Sequence, residues 1–375
     1  MNVPKLRFKE FNDEYNALKL SDVAELTSSK RIYLSDYTDN GIPFYRGKEI
    51  SELKLNKPVS DLLYISDEKY KEIEAKYGVP KENDILVTGV GTLGNIYRIP
   101  NNNKFYFKDG NLIWLKNIKQ NSEYLEYNLE FNKKKLLDSA IGSTQKALTI
   151  AGLNKLSFCY PSTSEQTKVA RTMQLIDIKI NLQSKKIEDL KLFTKNTISN
   201  ELNNLQNYNI FKFKDICNIQ TGKSNTQDKC DDGIYPFYIR SENIERSNNY
   251  IFDCEAVLTI GDGNIGKVFF YENGKFDCHQ RVYVLNNFKN VLGKYVYYYF
   301  SAFFYKRAMS MSAKNTVDSV RMEMISDMII KVPQEKEQIK MINLFSSLDK
   351  KLGLEQNKLD KLQELKKGLM QNMFV

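Results

Sequence analysis

The chain carries the same landmarks twice. Gly89-Val-Gly91-Thr-Leu-Gly94 returns as Gly261-Asp-Gly263-Asn-Ile-Gly266, and Pro161 with Glu165-Gln166 returns as Pro333 with Glu337-Gln338. All these pairs share an offset of about 172 residues. A long helical stretch follows the proline both times. A chain written this way is expected to fold as two copies of one module, a globular unit followed by a helix, in a pseudo-twofold repeat.

The repeat reaches beyond these motifs. Leu20-Ser-Asp22-Val23 resembles Phe213-Lys-Asp215-Ile216, and Gly41-Ile-Pro43-Phe44-Tyr45 resembles Ile234-Tyr-Pro236-Phe237-Tyr238. Here the offset is about 193, so the first copy carries about 21 extra residues before the glycine motif. The insert falls around Pro58 to Pro80 and contains the helical run Asp67-Glu-Lys-Tyr-Lys-Glu-Ile-Glu-Ala. Two copies with one frame and an insertion in one of them share a skeleton but present different surfaces. Short apolar runs, Ile85-Leu-Val87, Asn111-Leu-Ile-Trp-Leu115, Ala256-Val-Leu258 and Arg281-Val-Tyr-Val-Leu285, read as strands separated by Gly, Asn and Asp turns. Gly293 to Met309 reads as a helix. The fold class is therefore α+β, two mixed α/β units of about 150 residues each.

After Pro161, apolar residues fall at Val169, Met173, Ile176, Ile180, Ile187 and Leu190. After Pro333 they fall at Met341, Phe345, Leu348, Leu352, Leu359 and Leu362. Spacing that alternates four and three is a coiled-coil seam. An amphipathic helix packed on its own domain is the simpler reading, but the seam repeats at the same offset, which favours the coiled coil. One seam position is polar in both copies, Gln183 and Glu355, and a polar seam residue fixes register at some cost in stability. Each helix could extend about 35 residues, roughly 50 Å. In a twofold arrangement the two would lie antiparallel and hold the globular units apart. The expected boundaries are 1–162, 163–206, 207–333 and 334–375.

The chain has 375 residues, 42% of them hydrophobic, enough for substantial cores, and a net charge of +9. A basic balance is compatible with a polyanionic partner without establishing one. The five cysteines form no C-x-x-C pair, which argues against a zinc ribbon and a disulfide framework. No apolar run suggests a signal peptide or a membrane span, so a cytoplasmic location is expected.

Several motifs mislead. Both glycine motifs match the dinucleotide fingerprint as strings. That chemistry needs a helix to begin at the glycines so that its N-terminus faces a pyrophosphate. Here Asn95-Ile-Tyr-Arg and Lys267-Val-Phe-Phe-Tyr follow, both β-rich, so a tight β-turn is the better reading. Gly222-Lys223-Ser224 resembles the tail of a P-loop, but Cys217 stands where the leading glycine belongs. The single histidine, His279, has no second histidine to share a metal and reads as a polar surface or contact residue. Neither Asn-Pro-Pro-Tyr nor Asp-Pro-Pro-Tyr occurs, so an amino-methyltransferase catalytic loop is absent. No catalytic residue and no metal site is expected.

The segment Gly142-Ser-Thr-Gln-Lys-Ala-Leu-Thr-Ile-Ala-Gly-Leu-Asn-Lys-Leu156, then Pro161 and Glu165-Gln166, resembles the end of a target recognition domain and the start of its spacer helix. This is the pattern of the specificity (S) subunits of type I restriction-modification enzymes. Leu365-Lys-Lys-Gly368-Leu-Met-Gln-Asn-Met-Phe374 is similar to the usual ending of that family. The resemblance covers essentially the whole chain in the order domain, helix, domain, helix. It departs where Ser312-Ala-Lys314-Asn315-Thr316 replaces the first copy's Gly142-Ser-Thr-Gln145-Lys146. The family resemblance implies that each recognition domain reads one half of a bipartite site in double-stranded DNA and that the helices set the spacer. It also implies two methyltransferase (M) subunits carrying S-adenosylmethionine, which flip and methylate adenine, and two restriction (R) subunits using ATP and Mg. This chain would bind no cofactor itself and would decide where that chemistry happens.

Base reading calls for Arg, Lys, Gln and Asn on loops, because these side chains match the donors and acceptors of base edges. Candidates in the first unit are Lys30, Arg31, Arg46, Lys48, Thr92, Gln145 and Lys146. In the second they are Lys223, Ser224, Arg240, Asn243, Asn264, Gln280, Arg281, Lys314 and Asn315. Lys and Ser near glycine turns favour phosphate over bases. The unequal insert favours an asymmetric target over a palindrome. Two rival readings stay open at this point: a nucleotide-binding enzyme that uses the glycine loops, and a coiled-coil scaffold that binds protein alone.

Overall fold

The computed structural model describes residues 3–55, 57–143, 146–311 and 319–375. The chain divides into two compact units, Met1–Leu182 with Leu359–Val375, and Gln183–Lys358. Each unit thus contains one globular domain and parts of both long helices, Thr163–Asn203 and Glu335–Met373.

The duplication is visible strand by strand. In the first unit an antiparallel sheet has the spatial order Glu25–Thr27, Leu112–Lys116, Ile85–Thr88, Ile96–Arg98. In the second the same order is built by Asn218–Thr221, Val282–Asn286, Phe252–Ile260, Phe269–Cys278. The units differ in how the sheet continues. Phe269–Cys278 runs unbroken from this sheet into a parallel pairing with Tyr235–Tyr238, so the second unit has one six-stranded sheet. In the first unit the equivalent run is interrupted after Arg98 by Ile99-Pro-Asn-Asn-Asn-Lys104. Proline lacks the ladder N–H and asparagine favours turns, so pairing stops there. Tyr106–Phe107 then pairs with Ile42–Tyr45 in a separate four-stranded sheet. The insert contributes the helix Asp67–Tyr77, capped by Ser66, whose hydroxyl accepts from the Lys69 amide. Ile65, Tyr70, Ile73 and Val79 from this insert pack with Ile32, Ile42, Phe44 and Tyr106 as a core of their own.

The first and last strands of each domain pair with each other, Asn16–Lys19 with Ser157–Tyr160 and Tyr208–Lys212 with Ile329–Pro333. This brings the chain's entry beside the start of the following helix. A buried glutamine then fastens that junction. Gln166 Nε2 donates to the Pro161 carbonyl at 2.9 Å while its Oε1 accepts from Asn121 N at 3.1 Å. Gln338 Nε2 donates to the Pro333 carbonyl at 2.9 Å while its Oε1 accepts from Leu292 N at 2.9 Å. Asn121 and Leu292 are the N-caps of the domain helices Ser122–Phe131 and Gly293–Ser310. The repeated Gln therefore ties strand, domain helix and long helix together with one side chain.

The seam positions are all sheltered. Val169, Met173, Ile176, Ile187, Met341 and Phe345 are buried, and Ile180, Leu190, Leu348, Leu352, Leu359 and Leu362 are half-buried. Within the first unit Lys366 pairs with Asp177, and Met373 and Phe374 join the domain core, with Phe374 stacked on Tyr124. Within the second unit Leu202 packs with Met341 and Phe345. High numbers on one helix meet low numbers on the other in both units, so the pairing is antiparallel. The polar seam residues are partners: Gln183 Nε2 donates to the Glu355 carboxylate and to its carbonyl, both at 2.8 Å. These positions are equivalent in the repeat, and contact between equivalents is what a twofold helix pair requires.

One expectation is corrected. His279 is buried, not a surface side chain. Its Nδ1 accepts from the Arg281 amide at 3.0 Å, and its own amide donates to the Tyr238 carbonyl, so it holds the turn before Val282–Asn286. Burial, and then the nearby Arg240, lowers its pKa, which keeps that nitrogen available as an acceptor.

Candidate nucleic-acid interface

Both glycine motifs are turns between strands. Ile85–Thr88 leads in and Ile96–Arg98 leads out of the first, while Phe252–Ile260 and Phe269–Cys278 flank the second. No helix begins at either, so the dinucleotide geometry is missing and the nucleotide-enzyme reading loses its support. Gly91 and Gly263 take φ of +78° and +80°, and Gly94 and Gly266 take +68° and +65°. These are left-handed conformations that glycine adopts without strain. At Gly266 a Cβ would also come within 2.8 Å of Tyr305 Cα. The leading glycines are anchored alike: Gly89 accepts from Leu148 N and Gly261 from Val320 N, at 2.9 and 2.7 Å. Thr88 stiffens the first turn, its hydroxyl accepting from Asn95 N and donating to the Thr92 carbonyl.

Each turn borders a cleft. In the first unit the cleft is about 700 Å³ and lined by Arg46, Lys48, Ser51, Lys57, Asp61, Gly91, Thr92 and Asn111, among others. Three sequence candidates, Arg46, Lys48 and Thr92, thus converge on one place. Arg46 grips the buried Glu49 at 2.5 Å. Burial alone would raise the Glu49 pKa, but the hydrogen bonds from Arg46 outweigh it and leave it lowered. Arg46 is therefore half-committed to its own helix start. Lys48 pairs with Asp61 at 2.8 Å with both side chains exposed, a contact that water and a phosphate can readily exchange. Arg31 is exposed and pairs with Asp109, while the Lys30 ammonium lies 4.6 Å over the Tyr77 ring. Lys146 is exposed.

In the second unit the corresponding cleft is about 400 Å³, lined by Thr226, Ile239, Arg240, Ser241, Asp262 and Gly263. Arg240 is half-exposed and meets Asp262 at 3.2 Å. Asn243, Asn264, Lys223, Gln280 and Arg281 are exposed. Gln280 Nε2 donates to Asn225 Oδ1, and Ser224 Oγ donates to the buried Asp277 at 2.8 Å. The Ser224 proton is thereby spent inside the domain, and burial raises the Asp277 pKa. Gln145, Lys314 and Asn315 lie outside the described residues. Sequence reasoning missed Ser51, Lys57, Asn111, Thr226 and Asp262. Of these, Asp262 was in plain view inside the glycine motif, where a carboxylate can accept from the amino group of cytosine or adenine.

Two equivalent turns, one beside a cleft lined by Arg46, Lys48 and Lys57 and the other beside a cleft lined by Arg240, accompany the match to one family. The model of the type I restriction modification DNA specificity domain matches residues 12–192 and again 206–364. The chain belongs to this specificity family. A Haemophilus influenzae protein assigned as a type I restriction enzyme specificity subunit, S.HindORF215P, is 30% identical over 174 residues, 45% of this chain and 42% of that protein. The EcoDI specificity subunit of Escherichia coli is 24% identical over 157 residues, 42% of this chain and 34% of its own length. The chain thus aligns with less than half the length of these curated relatives. In fold the match is end to end. The S subunit of the type I restriction-modification system from M. genitalium superposes with a TM-score of 0.64 at 15% identity, covering 100% of this chain and 99% of that one. A chain from a type I R-M system solved for its complex assembly and conformational transition gives 0.61 at 13%, covering 96% and 97%. The specificity fold described above is therefore shared. Among the described residues no helix is long and apolar enough to cross a membrane, and no His, Cys, Asp and Glu cluster could hold a metal.

Proposed function

We propose that the chain is the non-catalytic DNA-reading subunit of a type I restriction-modification complex, working in the cytoplasm. Each globular domain reads one half of an asymmetric bipartite site in double-stranded DNA, and the long helices fix the spacer. The observation that carries this reading is the pair of specificity domains, each with its glycine turn beside a cleft that holds an exposed cation, Lys48 in one and Arg240 in the other. Arg240, Arg46 and Asn264 would face base edges, and Lys48 and Lys223 would face phosphates.

The helices also support partner docking. Leu182 and Leu354 are 64% and 53% exposed, and Phe193 and Leu365 are 58% and 51% exposed. Both pairs obey the offset of about 172 residues. Leu182 and Leu365 fall in one unit, Phe193 and Leu354 in the other, so each unit exposes a matching set of apolar side chains on its helices. Two M subunits docking in equivalent ways would cover them, and two R subunits would join that assembly. S-adenosylmethionine and ATP with Mg would reside on those partners.

Deleting the gene in a strain that expresses it, followed by methylome sequencing, tests this. Loss of one bipartite adenine-methylation motif is expected. An unchanged methylome removes the proposal, and sequence-independent binding by the purified complex would return the chain to a scaffold role.

A further inference from the structure

The junction between strand pair and long helix is plugged in one unit and open in the other. In the first unit the N-terminal arm lays Arg7 into it. The guanidinium donates to both Glu165 oxygens at 2.9 and 2.8 Å and to the Asp13 carbonyl at 2.6 Å, and lies 5.2 Å from the centre of the Tyr15 ring. Tyr15 in turn donates to Glu165 at 3.0 Å. Glu165 and Tyr15 are 1% and 6% exposed as a result.

The repeat places Gln206, Tyr208 and Glu337 at the positions of Asp13, Tyr15 and Glu165. They line two adjoining clefts of about 780 and 360 Å³ in the second unit, Tyr208 the larger, Glu337 the smaller and Gln206 both, and the two clefts also share Asn207 and Gln334. Tyr208 is 36% exposed, and the Glu337 side chain is 45% exposed and paired with Lys340. Tyr208 already shows its taste for cations, with the Lys331 ammonium 4.7 Å from its ring. Glu201 and Glu335 add negative charge to the rim. A carboxylate, a tyrosine and a backbone carbonyl are the set that a planar guanidinium satisfies in the first unit.

We propose that this second-unit cleft receives an arginine-bearing basic peptide segment of a partner polypeptide, in the manner of Arg7. The acidic rim disfavours nucleic acid there. The inference does not rest on the DNA-reading role, because the cleft and its plugged counterpart are defined by side chains away from the glycine turns.

The probe is a labelled synthetic peptide of residues 3–13, Val-Pro-Lys-Leu-Arg-Phe-Lys-Glu-Phe-Asn-Asp, titrated onto the full chain by fluorescence anisotropy. Saturable binding at one peptide per chain is expected. Glu337→Gln in the protein and Arg7→Ala in the peptide should each weaken it about tenfold or more, about 1.4 kcal/mol per decade, and Tyr208→Leu should weaken it less. Melting curves would verify that both protein variants stay folded. Absence of saturable binding overturns the proposal. So does binding that ignores Glu337→Gln but disappears with Glu165→Gln, which would mean that the peptide merely displaces the native arm.

Discussion

In the first unit Glu165 is sealed beneath Arg7 and Tyr15, whereas its counterpart Glu337 stands at the edge of an open cleft beside Lys340. The neighbouring residue tells the opposite story: Gln166 and Gln338 make the same two bonds to the same two backbone groups. Adjacent positions of one repeated motif thus serve different ends. The glutamine maintains the frame that the two copies share, while the glutamate keeps its identity in both copies and differs in its partners. The proposed two-headed reader would require both, because its heads would be held alike and would recognise different things.

The largest expected effect tests the glutamate pair. Glu165→Ala leaves the Arg7 guanidinium mostly buried and without its carboxylate, and should cost about 3 kcal/mol of stability in the first unit. Glu337→Ala should stay within about 0.5 kcal/mol. Urea unfolding of the two variants compares them directly, and equal losses would mean that Glu337 is as enclosed as Glu165. The glutamines come next. Gln166→Ala and Gln338→Ala each strand a carbonyl and a helix-cap amide, and each should cost about 2 kcal/mol. Here the sharp outcome is similarity, and a tolerant Gln338 would show that the two junctions are not built alike.

The cations proposed to face DNA separate the two domains more finely. Arg240→Ala should weaken binding of the complex to its cognate site by about 1–3 kcal/mol and relax discrimination at one base pair. Lys48→Ala should weaken cognate and random DNA equally and lower the salt slope by about 1. Equal losses on both DNAs for Arg240→Ala would reassign it to phosphate.

Much of this was legible from spacing. The seam at Val169 to Leu362, the insert helix Asp67–Tyr77 and the β-turn nature of both glycine motifs follow from periodicity and from what surrounds the glycines. What stayed hidden depends on contacts between distant segments. Nothing near Arg7 announces that it meets Glu165, 158 positions away. The burial of His279 is invisible because its neighbours Gln280 and Arg281 are polar and exposed. The candidate readers were chosen by residue type, which cannot tell a cation facing solvent from one already holding a carboxylate. Arg46 and Lys48 lie two positions apart and both hold a carboxylate, but the partner of Arg46 is buried and that of Lys48 is exposed.

The smallest expected effect lies where the copies touch. Gln183 and Glu355 occupy one repeated position and bond to each other, yet one is neutral and the other is ionised. Hydrogen bonds from Gln183, then Lys186 and Lys358, lower the Glu355 pKa from 4.5 to about 2. A carboxyl whose pKa falls on folding contributes its stability above the unfolded value and loses it as the pH drops through the folded one. Its contribution to the second unit should therefore be complete above about pH 5 and fade towards pH 2, the window that the linkage relation sets for such a shift. Glu355→Gln should flatten that part of the pH-stability curve, while Gln183→Glu would place a second carboxylate in the seam and should move the midpoint of the fade upwards. Denaturant midpoints measured from pH 6 to pH 2.5 read both. If Glu355→Gln leaves the acid limb unchanged, the polar seam sets register without carrying the acid sensitivity of the helix pair.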